Sequence, residues 1–284
     1  MNYKEFGARF TLNFALKFPA ASSSRLSFAV TPVPKIPLSV AIITLDAGAQ
    51  LGACLESVAF ADDIVIVDSG SRDATLSIAA QHGARVINAA WRGFGPQKQL
   101  AVDHAQHDWV LCLDADERVT PELARSIAAT IDHPAVSAFR MARRNRFLGR
   151  WLRHGEGYPD WSLRMFDRRH ARWSDDIVHE RVVHSGQSGA LPGDLLHESA
   201  ESLSQYLEKQ NRYTSLQAAQ LHAEGRRGGM WRLLASPLLR FLKFYLLRGG
   251  FLDGIPGLVH ISIGCLNSFT KYAKLIELQL GKHP

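Results

Sequence analysis

From residue 38 to about residue 131, short unbroken apolar runs alternate with stretches whose apolar residues recur at helical spacing. Leu38-Ser39-Val40-Ala41-Ile42-Ile43-Thr44 is the first run, and Leu51, Leu55 and Val58 follow it on one helical face. Ile64-Val65-Ile66-Val67-Asp68 is the second; after Ser69-Gly70-Ser71, Asp73 caps a helix expected to reach Gln81, with Gly83 as its stop. Ala84 to Ile87 predicts a third strand, Gln97 to His107 a helix, and Trp109 to Leu113 a fourth strand. Thr120-Pro121-Glu122 then opens a helix with an N-cap and a proline at the first helical position. Strands apolar on both faces and separated by helices predict an α/β domain with a mostly parallel, doubly wound sheet.

The pattern changes after residue 137. Ala138 to Ala142, Leu163 to Phe166 and Ile177 to His184 read as shorter β pieces, and the polar-aromatic loop Gly155-Glu156-Gly157-Tyr158-Pro159-Asp160-Trp161 lies between the first two. Ser202-x-x-Gln205 is a capping box for a helix to about Glu224, stopped by Gly225. Ser236-Pro237 reads as the start of a short basic amphipathic helix to Arg248, and a further helix follows Pro256. The expected organisation is a tail over residues 1–36, a catalytic domain over 37–225 and a helical, membrane-surface extension over 226–284.

Ligands of a doubly wound sheet bind beyond the carboxyl ends of its strands. Two carboxylate groups fall there: Asp68, and the cluster Asp114-Ala115-Asp116-Glu117. Alternate side chains of an extended segment point the same way, so Asp114 and Asp116 can converge. Such a pair suits Mg²⁺ or Mn²⁺, which takes one or two protein carboxylates and completes its shell with water and substrate phosphates.

Composition limits the partners. With 284 residues and 46% hydrophobic content, the chain can bury one large core plus an appendage. Its three cysteines, Cys54, Cys112 and Cys265, lie far apart and read as reduced residues, not as a disulfide or zinc framework. Residues 1–139 hold 11 Lys and Arg against 14 Asp and Glu, and residues 140–284 hold 22 against 13, which together give the net +6. The basic second half calls for an anionic partner. Charges at Lys4, Glu5, Arg9 and Lys17 break up the start of the chain, so it is not expected to act as a secretory signal.

In order and residues, the chain resembles the family 2 glycosyltransferases. The resemblance rests on Val40-Ala41-Ile42-Ile43-Thr44, on Ile64-Val65-Ile66-Val67-Asp68-Ser69-Gly70-Ser71-Arg72-Asp73-Ala74-Thr75, and on Val110-Leu111-Cys112-Leu113-Asp114-Ala115-Asp116-Glu117. Gly93-Phe94-Gly95-Pro96-Gln97-Lys98-Gln99, Tyr158-Pro159-Asp160-Trp161, Arg164-Met165-Phe166 and Val178-His179-Glu180 resemble, more narrowly, the bacterial lipopolysaccharide inner-core β-1,4-glucosyltransferases. The resemblance implies a GT-A fold, a nucleotide-sugar donor such as UDP-glucose, a divalent metal and inversion at the anomeric carbon. Carried over residue by residue, it implies that Thr44 lines the nucleotide pocket, Asp68 recognises the base and Lys98 supports a phosphate. Asp116 is then the metal contact, Asp114 supports it through ribose or water, and His179 is an extra metal ligand. The base that takes the acceptor proton is either Asp160 or Glu180, with Asp160 placed first. Two departures stand out: Ser69-Gly70 where the family commonly has Asp-Gly, and Leu45-Asp46 where many members place an aromatic residue and Asn.

The expected function is hexose transfer, from UDP-glucose in the first instance, to a heptose of the lipopolysaccharide core. The protein would then sit on the cytoplasmic face of the inner membrane, bound to anionic lipid, and nucleic acid is not expected as a partner. The arginines from Arg140 to Arg153 are candidates for acceptor phosphates. Three other readings stand beside this one: transfer to another lipid-linked or polysaccharide acceptor, a haloacid dehalogenase type of phosphohydrolase, and a non-enzymatic module that binds anionic surfaces. The phosphohydrolase reading expects the aspartates on the first strand, whereas here they end the fourth. The binding module gives no reason for carboxylates gathered at strand ends.

Overall fold

The computed structural model describes residues 35–176, 180–199 and 202–281. The expected tail lies outside these residues except at its last two positions, and so does His179. The described residues belong to one compact unit. The first half alternates as the apolar runs require: β1 (Ile36–Thr44), α1 (Gly48–Ser57), β2 (Ala61–Asp68), α2 (Thr75–Gln81), β3 (Arg85–Asn88), α3 (Phe94–Asp103) and β4 (Trp109–Asp114). A short β5 (Glu117–Val119) leads into α4 (Pro121–Ile131), whose N-cap Thr120 accepts the amide of Leu123.

The second half is built from hairpins and helices. Its strands are β6 (Ala138–Phe147), β7 (Arg150–Trp151), β8 (Asp160–Asp167), β9 (Ala171–Trp173), β10 (Val182–His184) and β11 (Gly189–His197). Helices α5 (Leu203–Ala223), α6 (Met230–Phe241) and α7 (Gly254–Gln279) complete the chain. The capping box at Ser202 and Gln205 is formed as its spacing predicts.

The main sheet runs β3-β2-β1-β4-β8-β6-β11-β5. β3, β2, β1 and β4 are parallel, whereas β8 is antiparallel to both β4 and β6. The sheet is therefore mixed, and the doubly wound expectation holds for its first half. The physical reason lies in the connections: β6, β7 and β8 follow one another without a crossover helix, and short links join antiparallel neighbours. Both faces of the parallel half are covered. Val40 and Ile42 pack on one side with Leu51, Leu55 and Leu113, while Ala41 packs on the other with Val65, Val110 and Phe166. Cys54 and Cys112 are free and buried, and burial pushes the Cys112 thiol up to about 11, as suits core residues.

One helix boundary differs from the sequence reading. Helix α6 starts after Gly229 and carries Pro237 in its interior, instead of starting at Ser236-Pro237. Met230, Leu233, Leu234 and Ala235 are good helix formers, and they extend the helix upstream despite the bond that Pro237 forgoes. A π-helical turn, Leu242–Leu247, follows. Gly249, left-handed at φ 65°, then ends the segment just after Arg248, where the sequence reading expects the end. A 3₁₀ turn, Gly250–Asp253, leads into α7, which packs against both α5 and α6. The helical layer thus begins at α5, ahead of the expected boundary at residue 226.

Candidate active site

The strand order reverses between β1 and β4, which places a crevice at their carboxyl ends. Thr44 ends β1 and pairs in register with Asp68, which ends β2; Ile43 pairs with Asp114, which ends β4. Asp68 is fully buried. Its carboxylate accepts the hydroxyls of Thr44 (2.8 Å) and Ser71 and the amides of Gly70 (2.9 Å) and Ser71 (2.8 Å). Burial alone would raise its pKa, but these bonds outweigh it and hold the group below the usual carboxylate range. In this arrangement Asp68 shapes the turn after β2, and a base reaches its oxygens only by displacing one of those donors.

The residues that depart from the family pattern take part in the same turn. The amide of Asp46 donates to Ser71 Oγ and the amide of Arg72 to Asp46 Oδ1, both at 2.8 Å. Asp73 accepts the amide of Gly48 at 2.8 Å and that of Thr75 at 2.9 Å, so the loops after β1 and β2 are clasped together. Gly70, at φ 102°, supplies a backbone conformation that a side chain there would strain.

Around the Asp-x-Asp cluster, charges alternate along a continuous chain. Glu180 Oε1 meets Lys98 Nζ at 2.7 Å, and Lys98 meets Asp114 Oδ1 at 3.0 Å. Arg164 reaches Asp114 Oδ2 at 2.6 Å and Glu117 Oε1 at 2.7 Å. Arg143 contacts the same Glu117 oxygen at 3.3 Å and Asp160 Oδ2 at 2.6 Å. Lys98 also stands over the ring of Trp173. Burial works against the Asp114 charge, yet Arg164 and Lys98 overcome it and hold the carboxyl well below its ordinary value. The Arg164 guanidinium is likewise held above its own ordinary value, because the carboxylates of Asp114 and Glu117 outweigh its burial.

Asp116 stands apart from that chain. Its Oδ2 lies 3.3 Å from His197 Nε2, at the end of β11, while His197 Nδ1 is 2.7 Å from Asn145 Oδ1. The register explains the meeting: His197 is opposite Glu117 on one side and Asn145 on the other. Among the described residues no three His, Cys, Asp or Glu side chains converge to hold a metal ion. A carboxylate and an imidazole do fit a divalent ion that draws its remaining ligands from water and diphosphate oxygens. Asp114, with an oxygen on each of two cations, offers such an ion less than Asp116 does.

A cavity of about 600 Å³ adjoins the site. Arg143, Asn145, Asp160 and His197 line it from the sheet; Tyr206 and Lys209 line it from α5, and His260 from α7. Of the two candidate bases, Asp160 is on this wall, while Glu180 sits at the other end of the charge chain beside Lys98. The arginine cluster is largely engaged within the fold: Arg144 pairs with Asp194, Arg146 with Glu198, and Arg140 stands over Trp161. Glu117, Arg164, Arg143 and His197 are site residues to which the sequence reading gave no role at the centre; Arg164 lies in a quoted motif and Glu117 beside the aspartates.

The profile of Glycosyl transferase family 2 matches residues 39–186, which span β1 to β10 and all of the charge chain. The chain belongs to this family. A lipopolysaccharide core biosynthesis glycosyltransferase, LpsC, of Rhizobium meliloti is 32% identical over 86% of this chain and 94% of that protein. An uncharacterised glycosyltransferase of Rickettsia typhi is 30% identical over 86% of this chain and 88% of its own. Among solved structures, TarS of S. aureus with UDP-GlcNAc is similar at 15% identity and a TM-score of 0.44, covering 87% of this chain and 93% of that one. The chain has a GT-A-like architecture, a mixed sheet whose first half is parallel, followed by C-terminal helices. As a member of that family it is a transferase.

Proposed function

We propose that this glycosyltransferase moves a hexose, glucose from UDP-glucose in the first instance, onto a heptose of the lipopolysaccharide inner core, in a metal-dependent and inverting reaction. The observation that carries the site assignment is that Asp116, alone of the three carboxylates in Asp114-Ala115-Asp116-Glu117, lies outside the ion-pair chain and faces His197. Asp116 and His197 would hold the divalent ion, which would supply positive charge against the departing diphosphate. Thr44 and the clasped loops after β1 and β2 form the floor under the nucleotide. Lys98 and Arg164 keep Asp114 ionised and fixed, which sets the shape of the strand end that Asp116 extends.

On the acceptor side, Asp160 sits in the cavity wall with Arg143 on one of its oxygens. A carboxylate so held is positioned to take a proton from an acceptor hydroxyl, a role worth about 10²- to 10⁴-fold in rate. The relative LpsC, named for core biosynthesis, supports the acceptor class. The test is a panel of nucleotide sugars with Mg²⁺ or Mn²⁺ and truncated core lipopolysaccharides, following nucleoside diphosphate release. Metal-stimulated release with UDP-glucose and a heptose-terminated core is expected. Release that ignores both metal and acceptor, or persists in Asp116→Ala, would overturn the proposal.

A further inference from the structure

Helix α6 buries none of its residues. Trp231 is 81% exposed and Leu247 84%, and Met230, Leu234, Leu238 and Ile255 are open to solvent as well. An apolar surface of this extent needs a partner. Its charge identifies the kind. From Gly225 to Leu252 the chain holds six cations, Arg226, Arg227, Arg232, Arg240, Lys243 and Arg248, and not one Asp or Glu. Arg240 turns inward to Glu156, while the other five are exposed.

Two elements share this surface, and both are tied to the body. Met230–Leu247 and Gly250–Gln279 are bent by 72° relative to each other, and no single helix among the described residues is long and apolar enough to cross a membrane. Gly257, Ile261, Ile263, Gly264 and Leu275 of α7 are buried. Asp253, in the turn between the helices, is buried and accepts the amides of Arg153 (3.0 Å) and His154 (2.8 Å). The bend is thereby pinned to the loop after β7, and the apolar side faces outward.

We propose that α6 and the turn after it insert into one leaflet of an anionic bilayer, with the apolar side chains among the acyl chains and Arg226, Arg227, Arg232, Lys243 and Arg248 at the headgroups. Amphipathic helices that combine exposed apolar and basic residues lie in the interface in this way, and the basic residues add attraction to anionic lipid. A second copy of the chain is a poorer occupant, because a symmetric contact would bring the same cations face to face without a carboxylate between them. The inserted hairpin is monotopic: α7 keeps one face on the protein body, so the pair cannot straighten to span.

Docking needs neither donor nor acceptor, so its test is independent of the transfer reaction. The full chain is sedimented with vesicles of phosphatidylcholine mixed with phosphatidylglycerol, and with vesicles of phosphatidylcholine alone. Binding to the mixed vesicles is expected, weaker on the neutral ones, and at least about tenfold weaker in W231D/L238D, whose changed residues are exposed and whose fold is checked by circular dichroism. R226E/R227E/K243E should lose the preference for anionic lipid. Lipids brominated in the acyl chain should quench the wild type more than Trp231→Phe. Wild type left in the supernatant, binding untouched by W231D/L238D, or a dimer that W231D/L238D dissolves and vesicles do not compete with, would each overturn the proposal.

Discussion

The Oδ2 atom of Asp116 lies 3.3 Å from Nε2 of His197, a residue that the register of β11 brings opposite Glu117. If this pair holds the ion, Asp116→Asn should lower kcat/KM by about 10²- to 10³-fold, since the charge it supplies is worth several kcal/mol and each 1.36 kcal/mol is about tenfold. His197→Gln should cost less and raise the concentration of Mn²⁺ needed for half-maximal rate. A metal titration of the diphosphate-release rate for both variants checks this.

Asp160 and Glu180 close opposite ends of one ion-pair chain, and kinetics can separate them. Asp160→Asn is expected to lower kcat by about 10²- to 10⁴-fold with little change in donor KM, as loss of a general base does. Glu180→Gln removes a partner of Lys98 and should act mainly on donor KM. Steady-state kinetics with donor and acceptor varied in turn give the answer, and the reverse assignment would appear as an exchange of the two phenotypes.

Glu117 is fully buried and accepts Arg164, Arg143 and the amide of Asp114 at 3.0 Å. Glu117→Ala leaves Arg164 with Asp114 alone and Arg143 with Asp160 alone, and removing one partner from buried ion pairs costs up to about 3–5 kcal/mol. Urea denaturation should show that loss as a lower midpoint. Glu117→Gln, which keeps one acceptor oxygen and fills the same space, should cost less.

His260 gives the fold a pH dependence of definite sign. Burial, with help from Arg240, lowers its pKa to about 4, against about 6.5 in the unfolded chain. Between those values the unfolded state binds a proton that the native state does not, so stability is complete above about pH 6.5 and falls as the pH is lowered towards about 4. At about 1.4 kcal/mol per pH unit the whole effect is on the order of 3–4 kcal/mol at most. Urea midpoints followed across that range should fall in the wild type and fall less in His260→Phe, which can keep the edge contact with Phe147.

The parallel half of the sheet was readable because its signals are local: unbroken apolar runs, Thr120-Pro121 at a helix start, Gly83 at a stop. Asp114 and Asp116 were readable for the same reason, being two residues apart at a strand end. Their different surroundings were not. Arg164 meets Glu117 across 47 positions of sequence, and Arg143 meets it across 26. Both meetings depend on β8 entering antiparallel between β4 and β6, which no local pattern announces. His197 was missed because a lone histidine after Leu195-Leu196 carries no motif; along the chain, helix α4 and the strands β5 to β10 separate it from its partner Asp116. Ser236-Pro237 misled in the opposite direction, a good local start signal overridden by the helix formers before it.

The cavity beside Asp160 has one wall made of strands and another made of helices. The strand wall carries Arg143, Asn145, Asp160 and His197, the groups to which the proposed function gives the chemistry, whereas α5 and α7 supply Tyr206, Lys209 and His260. If the acceptor binds here as proposed, its preference can be re-tuned by substitutions in the helical layer alone, without disturbing the ion pairs that hold Asp114. For protein engineering, this makes the helices the place to graft a new glycan preference and the sheet the part to leave untouched.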